Sequence, residues 1–398
     1  MRILLWATTL QADILSLALS LDQCDGIELM VVAEGLSAYL RQPIAAVRPT
    51  RAAMHDRSGR DTRRAVERFG ADVLVCDNHF PAFAAAPRVC SLWHGLGWKA
   101  RPEADVQTYC RQVERLTGVD PRKPNPRFLA QCYAEPDRLW RMEQWGLAGE
   151  NCRTIGMAFS DLLKSPPYAK KDLERYYDLD IAARKNLLIN VTWHYGRFVP
   201  GTWKPGFLGA PFDSDIRFLD ALIARAHDHG ANVLLCMHDR KRYEAKYLTA
   251  IAALARRFAR VALRHKDEFP DNLMDLLVAD AMVSNLSSFV TFMYLLEKPT
   301  VHICPLPDAR VRFTRLHRNC LRARGDDGQP PWMNDPADNG GLTAFDGEGA
   351  LTALDRALTD PDCCKERARS WIGRHVWRPD GHTCERLQQA LLALGEAG

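Results

Sequence analysis

The sequence predicts an α/β protein made of two successive halves, each a parallel sheet covered by helices. Three observations point there. Short apolar segments alternate with helical patterns, the signature of βαβ units. The alternation breaks once, at Ser165-Pro166-Pro167-Tyr168, and then restarts. Several apolar segments run directly into histidine-bearing loops, and the carboxyl ends of parallel strands are where such sheets meet ligands.

In the first half, residues 2–7 (RILLWA), 27–32 (IELMVV), 71–76 (ADVLVC) and 89–93 (VCSLW) read as strands. Each is short, apolar and bounded by polar residues or turn formers. Helices are expected over 14–21 and over 62–69, the latter with its charges on one side. Residues 101–151 are rich in Arg, Pro and aromatics, and a helix is expected over 128–145, interrupted or restarted at Pro136. Residues 154–157 read as strand and turn, and 160–163 as a short helical piece.

In the second half, 186–192 (NLLINVT) is a buried strand followed by Trp193-His194-Tyr195-Gly196-Arg197. A helix over 218–229 stops at Gly230. A strand at 232–237 (NVLLCM) leads into His238-Asp239, a basic, Ala-rich helix spans 241–259, and a strand spans 261–263. The densest stretch follows: an apolar helical run at 273–278, Ala279-Asp280, a strand at 281–283, the turn Ser284-Asn285-Leu286-Ser287-Ser288, a helix at 289–296 ended by Glu297-Lys298-Pro299, and a strand at 300–304. Strand, turn, helix, strand is one βαβ element. Residues 309–341 read as a long surface loop. Helices at 351–358 and 366–376 and an amphipathic helix at 381–394 close the chain. The expected division is an N-terminal domain at 1–160, a C-terminal domain at 170–380 and a closing helix at 381–398, with two Rossmann-like domains facing across a cleft.

Composition narrows the class. The chain has 398 residues, 47% hydrophobic and 26% charged, within the range of globular proteins. With 53 basic and 49 acidic residues the net charge is +4, too balanced to argue for nucleic acid as the main partner. The apolar start, MRILLWATTLQADILSLALSL, is interrupted by Gln11 and Asp13 and lacks a small-residue cleavage site, so it reads as a buried strand and helix rather than a signal peptide. No run of about 18 uninterrupted apolar residues predicts a spanning helix. The twelve cysteines form no CxxC pair, which argues against a structural zinc site and for reduced thiols in a cytoplasmic protein.

Three histidines, His94, His194 and His238, fall at the ends of predicted strands. A lone histidine is more often packed or surface-exposed than catalytic. Three at corresponding positions suit acid–base or phosphate chemistry near neutral pH. None has the close-spaced partner of a metal site, so no metal is expected. Ser287 and Ser288 begin a predicted helix. Serine there ordinarily caps free N–H groups, and those groups with the helix dipole also suit an anion. Lys99, Arg101 and Arg197 are either solvated charges or phosphate contacts, and Gly95 and Gly97 let the backbone approach a ligand. GxxxxGK[ST], strand-following GxGxxG and GxSxG patterns are all missing, which removes support for P-loop, dehydrogenase and α/β-hydrolase readings.

Six stretches carry a resemblance. They are LWHGLGWK (92–99), GMAFSDLL (156–163), INVTWHYG (189–196), MHD (237–239), DLLVADAMVSNLSSFVTFMYLLEKPTV (275–301) and DGHTCERL (380–387). In order and content they resemble the signatures of the CDP-glycerol glycerophosphotransferase family, the teichoic-acid polymerases and primases. The first and fifth are the specific ones. The resemblance implies a GT-B fold. It implies His94 as general base on the acceptor hydroxyl, His238 at the donor phosphates, Ser287 and Ser288 on the diphosphate, and Asn285, Thr192 and His194 on the nucleotide side. It leaves Lys99, Gly95 and Arg197 as acceptor or phosphate contacts and Asp280 as a structural residue. Asn285-Leu286 stand where the family has Asp-Tyr, Asp239 where it has Pro, Ala158-Phe159 where it has Pro-Arg, and Val191 and His194 where it has Pro and Arg.

The expected function is transfer of a polyol phosphate from a CDP-linked donor to a hydroxyl of an envelope polysaccharide or lipid-linked acceptor. No cofactor is expected beyond that donor. A lipid-linked acceptor would bring peripheral contact with the inner face of the cytoplasmic membrane. The alternatives are a GT-B glycosyltransferase using a nucleotide sugar, and a non-catalytic nucleotide- or glycan-binding scaffold.

Overall fold

The computed structural model describes residues 1–41, 47–77, 79–93, 95–96, 98, 101, 103–190, 215–270, 273–285, 287–303 and 338–396. The chain divides into two compact units: Met1–Leu96, Glu103–Pro167 and Gly373–Gly398 form the first, and Gly97–Pro102 with Tyr168–Ile372 form the second. The units part at Pro167, inside the Pro-rich break in the sequence. The division is not a plain succession, because the chain's last 26 residues belong to the first unit.

In the first unit, strands β1 (Arg2–Ala7), β2 (Glu28–Ala33), β3 (Ala53–Asp56), β4 (Val73–Cys76), β5 (Arg88–Ser91), β6 (Phe128–Cys132) and β7 (Cys152–Thr154) form one sheet, ordered β3-β2-β1-β4-β5-β6-β7. Every pairing is parallel. β1 lies between β2 and β4, with Leu5 opposite both Val31 and Val75. Parallel strands covered on both faces read as continuous apolar runs, which is why RILLWA and VLVC were legible. Helix α1 (Ala12–Asp22) and the helix Thr383–Glu396 share one core, in which Leu17, Leu21, Leu387, Leu391 and Leu394 join Ile3 and Val75. That shared core is why the closing helix belongs to this unit.

The second unit holds β8 (Asn186–Asn190), β9 (Asn232–Met237), β10 (Val261–His265), β11 (Ala281–Ser284), β12 (Thr300–Ile303) and β13 (Leu342–Ala344), ordered β10-β9-β8-β11-β12-β13 and again parallel throughout. Leu187, Ile189, Val233, Leu235, Val283 and Val301 pack with Phe218 and Leu222 of the helix Asp215–Asp228 and with Leu354 and Leu358 of the helix Gly347–Thr359. The expected βαβ element is present: β11, the short helix Val290–Leu295 and β12, with Met282 opposite Thr300.

Some expectations need correction. The helix expected over 128–145 is strand β6 followed by a helix at Glu135–Trp145 with Pro136 in its first turn. All five β6 residues are buried, so the strand shows no alternation and its composition suits either element. Strands β3 and β13 and the helix Glu103–Thr117 were not singled out. Most of the expected loop at 309–341 lies outside the described residues. Its last residues are packed rather than solvated: Asn339 is buried, and a Cβ on Gly341 would stand 2.3 Å from the Thr300 carbonyl oxygen. Among the described residues no helix is long and apolar enough to cross a membrane.

Candidate functional site

Open parallel sheets bind ligands where the strand order reverses, in the crevice beyond the carboxyl ends of the two strands concerned. In the second unit β8 leads to β9 and β10 on one side, and β11 lies on the other, so the reversal falls between β8 and β11. The two strands are tied at that end, where Ser284 Oγ donates to the Asn190 carbonyl at 2.7 Å. Ser284, Asn285, Ser287 and Ser288 therefore stand at the reversal point. This placement comes from the sheet order alone, independent of any sequence pattern.

The serine turn is built differently from a helix cap. Phe289 occupies the cap position in right-handed helical geometry and offers no side-chain bond. The Phe289 N–H donates to Ser287 Oγ at 3.2 Å. The N–H groups of Val290, Thr291 and Phe292 donate to the carbonyls of Ser287, Ser288 and Phe289. Local acceptors thus use the first amides of this six-residue helix, which corrects the expectation of an anion site made by free helix N–H groups. Ser287 holds the turn through its hydroxyl. Ser288 is half-buried, and no hydrogen bond of its hydroxyl is found among the described residues. Asn285 is buried at 1% exposure.

His238 follows β9, which lies beside β8, so it stands at the same end of the sheet. Its main chain is fixed twice: its N–H donates to Tyr243 Oη at 2.9 Å, and its carbonyl lies 3.4 Å from His265 Nδ1. Its Nδ1 lies 2.8 Å from the Asp239 N–H and 2.9 Å from an Asp239 carboxylate oxygen. Nδ1 thus faces both an N–H and a carboxylate. When the ring is protonated, Nδ1–H faces the carboxylate and Nε2–H is a donor, which suits a phosphate oxygen. The resembled family has proline where this chain has Asp239.

Asp280 lies at the opposite, amino end of β11. It accepts from the Asn186 N–H at 2.8 Å and pairs with Lys170 at 2.8 Å, which is a structural role. Thr192, His194 and Arg197 lie outside the described residues.

In the first unit the reversal falls between β1 and β4. Thr8, just past β1, donates its N–H and hydroxyl to the buried Asp77 carboxylate at 2.7 and 2.9 Å, and its Oγ lies 2.8 Å from Nδ1 of the exposed His79. His94 and Lys99 lie outside the described residues, as does Gly97. Both neighbours of His94 are described. Trp93 carries the Arg141 guanidinium 4.6 Å from its ring centre. Gly95, at φ +124°, donates its N–H to Tyr133 Oη at 3.0 Å, and that positive φ is a reason for glycine there. Tyr133 in turn bonds Asp13, and its N–H donates to Asp137, which holds Arg141 at 2.9 Å. Burial pushes the Asp13 carboxyl up to about 7, against the pull of bonds from Phe159 N–H, Tyr133 and Gln131. Among the described residues no group of three or more His, Cys, Asp or Glu could hold a metal ion.

No family model matches the chain, and no curated protein matches it. Solved structures do. The wall teichoic acid polymerase TagF aligns over 98% of this chain and 88% of its own at TM-score 0.68 and 14% identity, and a form of the same polymerase soaked with CDPG aligns equally well. The chain has the GT-B fold of that polymerase. A UDP-N-acetylglucosamine 2-epimerase (TM-score 0.55, 14% identity, 98% of this chain and 95% of that one) and the S. aureus MnaA-UDP co-structure (0.55, 11%, 98% and 96%) share it too. At these identities the likeness is one of fold.

Within this GT-B chain, Asn285, Ser287, Ser288 and His238 gather at one end of the second sheet, and Gly95 is fixed beside His94 in the first unit. Sequence reasoning missed Thr8, Asp77 and His79, although their place just past two strands was a usable signal. It misses Tyr133 because 128–145 reads as helical, interrupted or restarted at Pro136, where the structure has strand β6 ending just before Tyr133.

Proposed function

We propose that the chain is a transferase that moves a polyol phosphate from a CDP-linked donor to a hydroxyl of an envelope polysaccharide or lipid-linked acceptor. The observation that carries this reading is the coincidence of two independent indications. The sequence pattern nominates Ser287, Ser288 and His238, and the reading is supported by the strand order, in which the two serines follow β11 at the reversal and His238 follows β9, with β8 between.

The chemistry follows from the donor groups. An acceptor oxygen attacks the polyol-bearing phosphorus, the bond from that phosphorus to the bridging oxygen breaks, and CMP leaves with the electron pair. His94 takes the acceptor proton. His238 Nε2–H and Ser288 Oγ–H donate to diphosphate oxygens, where negative charge grows on the leaving CMP, and preorganised donors there lower the barrier. Thr192, His194 and Arg197 belong to the same donor side, and Lys99 to the acceptor side. No cofactor beyond the donor enters the reading. A lipid-linked acceptor would bring the protein to the inner membrane face.

The test is nucleotide release. The protein is incubated with CDP-glycerol or UDP-N-acetylglucosamine and a lipid-linked polyol acceptor. CMP release that disappears in His94→Ala and His238→Ala supports the reading. Turnover of the UDP-sugar alone replaces it with a nucleotide-sugar enzyme, which the fold shared with the UDP-bound neighbour favours. Binding without turnover of either leaves a non-catalytic scaffold.

A further inference from the structure

We infer that His302, Tyr294 and Trp98 are positioning residues that hold the serine turn from below. Their bonds go to main-chain carbonyls of the turn and not to the Ser288 hydroxyl proposed to meet the donor, and the inference rests on the donor-site reading only for its binding arm.

His302 lies on β12 at 2% exposure, beside the turn's strand β11, with Ser284 its register partner. Both of its polar functions are engaged. Nε2 meets the Tyr294 hydroxyl, and the ring also donates to the backbone carbonyl of Asn285. A neutral imidazole has one donor and one acceptor. With the carbonyl of Asn285 accepting, Nε2 must accept, and Tyr294 is the donor. The relay therefore has one direction: Tyr294 O–H to His302, His302 N–H to Asn285.

The other end of the turn is held by Trp98, whose Nε1–H donates to the Ser287 carbonyl at 3.3 Å. The Trp98 ring sits 5.5 Å from both His302 and Trp371. Tyr294 packs edge-on to Trp371 at 5.2 Å, and Gly340 leaves room for it, since a Cβ there would stand 3.0 Å from the Tyr294 ring. Trp98, Tyr294, His302 and Trp371 are each exposed by 2% or less. Two carbonyls of the turn, two residues apart, are thus fixed by two side chains locked in one aromatic cluster. Burying a histidine and a tyrosine hydroxyl in such a cluster is costly unless each is satisfied. Phenylalanine at both positions would fill the same space without that cost. What the polar pair adds is an N–H aimed at the Asn285 carbonyl, and hence a fixed orientation for the segment that presents Ser288.

The test uses the full chain and two readouts. Amide exchange of the peptide 284–290 is compared between wild type, His302→Phe, His302→Gln and Trp98→Phe, and CDP stabilisation is measured on the same set. Glutamine retains one donor and one acceptor, so it is the conservative rescue. The expected result is at least tenfold faster exchange in 284–290 for His302→Phe, with protection elsewhere in the unit kept. CDP stabilisation should be lost in parallel, and both should be restored in His302→Gln. Trp98→Phe, which removes only the indole N–H and part of the ring, gives the same direction if His302→Phe does not fold. Unchanged exchange in 284–290 in the folded variants overturns the inference. If wild type itself binds no nucleotide, the donor reading fails, and the exchange arm still decides whether these residues hold the turn.

Discussion

Acid stability gives a quantitative check on His302. Burial, together with the positive charge of Arg367 and against the pull of the Asn285 carbonyl, drives its imidazole down to about 3. In the unfolded chain it titrates near 6.5. The perturbation is His302→Gln, which keeps the hydrogen bonds and removes the titration. Between these two values the unfolded chain binds a proton that the folded chain does not, so this group's contribution is intact above the unfolded value and is lost as pH falls through it toward 3. At pH 5.5 the loss is about 1.4 kcal/mol and at pH 4.5 about 2.7 kcal/mol. The assay is equilibrium urea unfolding of wild type and variant at pH 7.5, 5.5 and 4.5. Asp13 titrates in the opposite sense over part of the same range, so only the difference between the two proteins isolates His302. That difference should shrink or reverse by about 2.7 kcal/mol in the variant's favour between pH 7.5 and 4.5. Parallel pH profiles would refute the claim that His302 is buried and neutral.

Three further outcomes follow from other parts of the structure. Asp137→Asn leaves the Arg141 guanidinium, exposed by 1%, without its carboxylate, and should cost about 3–5 kcal/mol in urea unfolding of the first unit. Asp13→Asn should flatten a different slope. The folded carboxyl keeps its proton to about 7 while the unfolded one releases it near 3.8, so its stabilisation is full below 3.8 and lost as pH rises through 7. Urea melts at pH 5 and 8 read the change. Gly341→Ala pushes a methyl to 2.3 Å from the Thr300 carbonyl and should lower stability by roughly 1–3 kcal/mol, measured by thermal unfolding.

Much of the candidate donor site was legible in the sequence because its parts are local. The strand, the serine turn, the helix and the next strand follow one another within about thirty residues, each with its own composition. What was not legible is what depends on distant pairing. The helix Val290–Leu295 is too short and too tightly started to leave free amides, and only the bonds of Phe289 to Phe292 reveal it. His302 looked like one more residue of an apolar strand, and its partner Tyr294 like part of an apolar helix. Trp98 lies almost 190 residues from Ser287 in sequence. Strand β6 was hidden because a doubly covered parallel strand carries no alternation, so Phe128–Cys132 merged with the helix beyond it. The first unit's Thr8, Asp77 and His79 become a group only when β1 and β4 are known to be neighbours.

The central claim is that the serine turn of the second unit receives a nucleotide diphosphate. The most direct measurement is a thermal-shift panel of CDP, CMP, UDP, GDP and ADP on wild type and Ser288→Ala, since a ligand bound only to the native state raises its apparent stability. The account predicts a shift selective for CDP or CMP that falls in Ser288→Ala, matching the loss of about 1.5–3 kcal/mol for one hydrogen bond to a charged group. A shift of equal size in the two proteins, or none with any nucleotide, would contradict it.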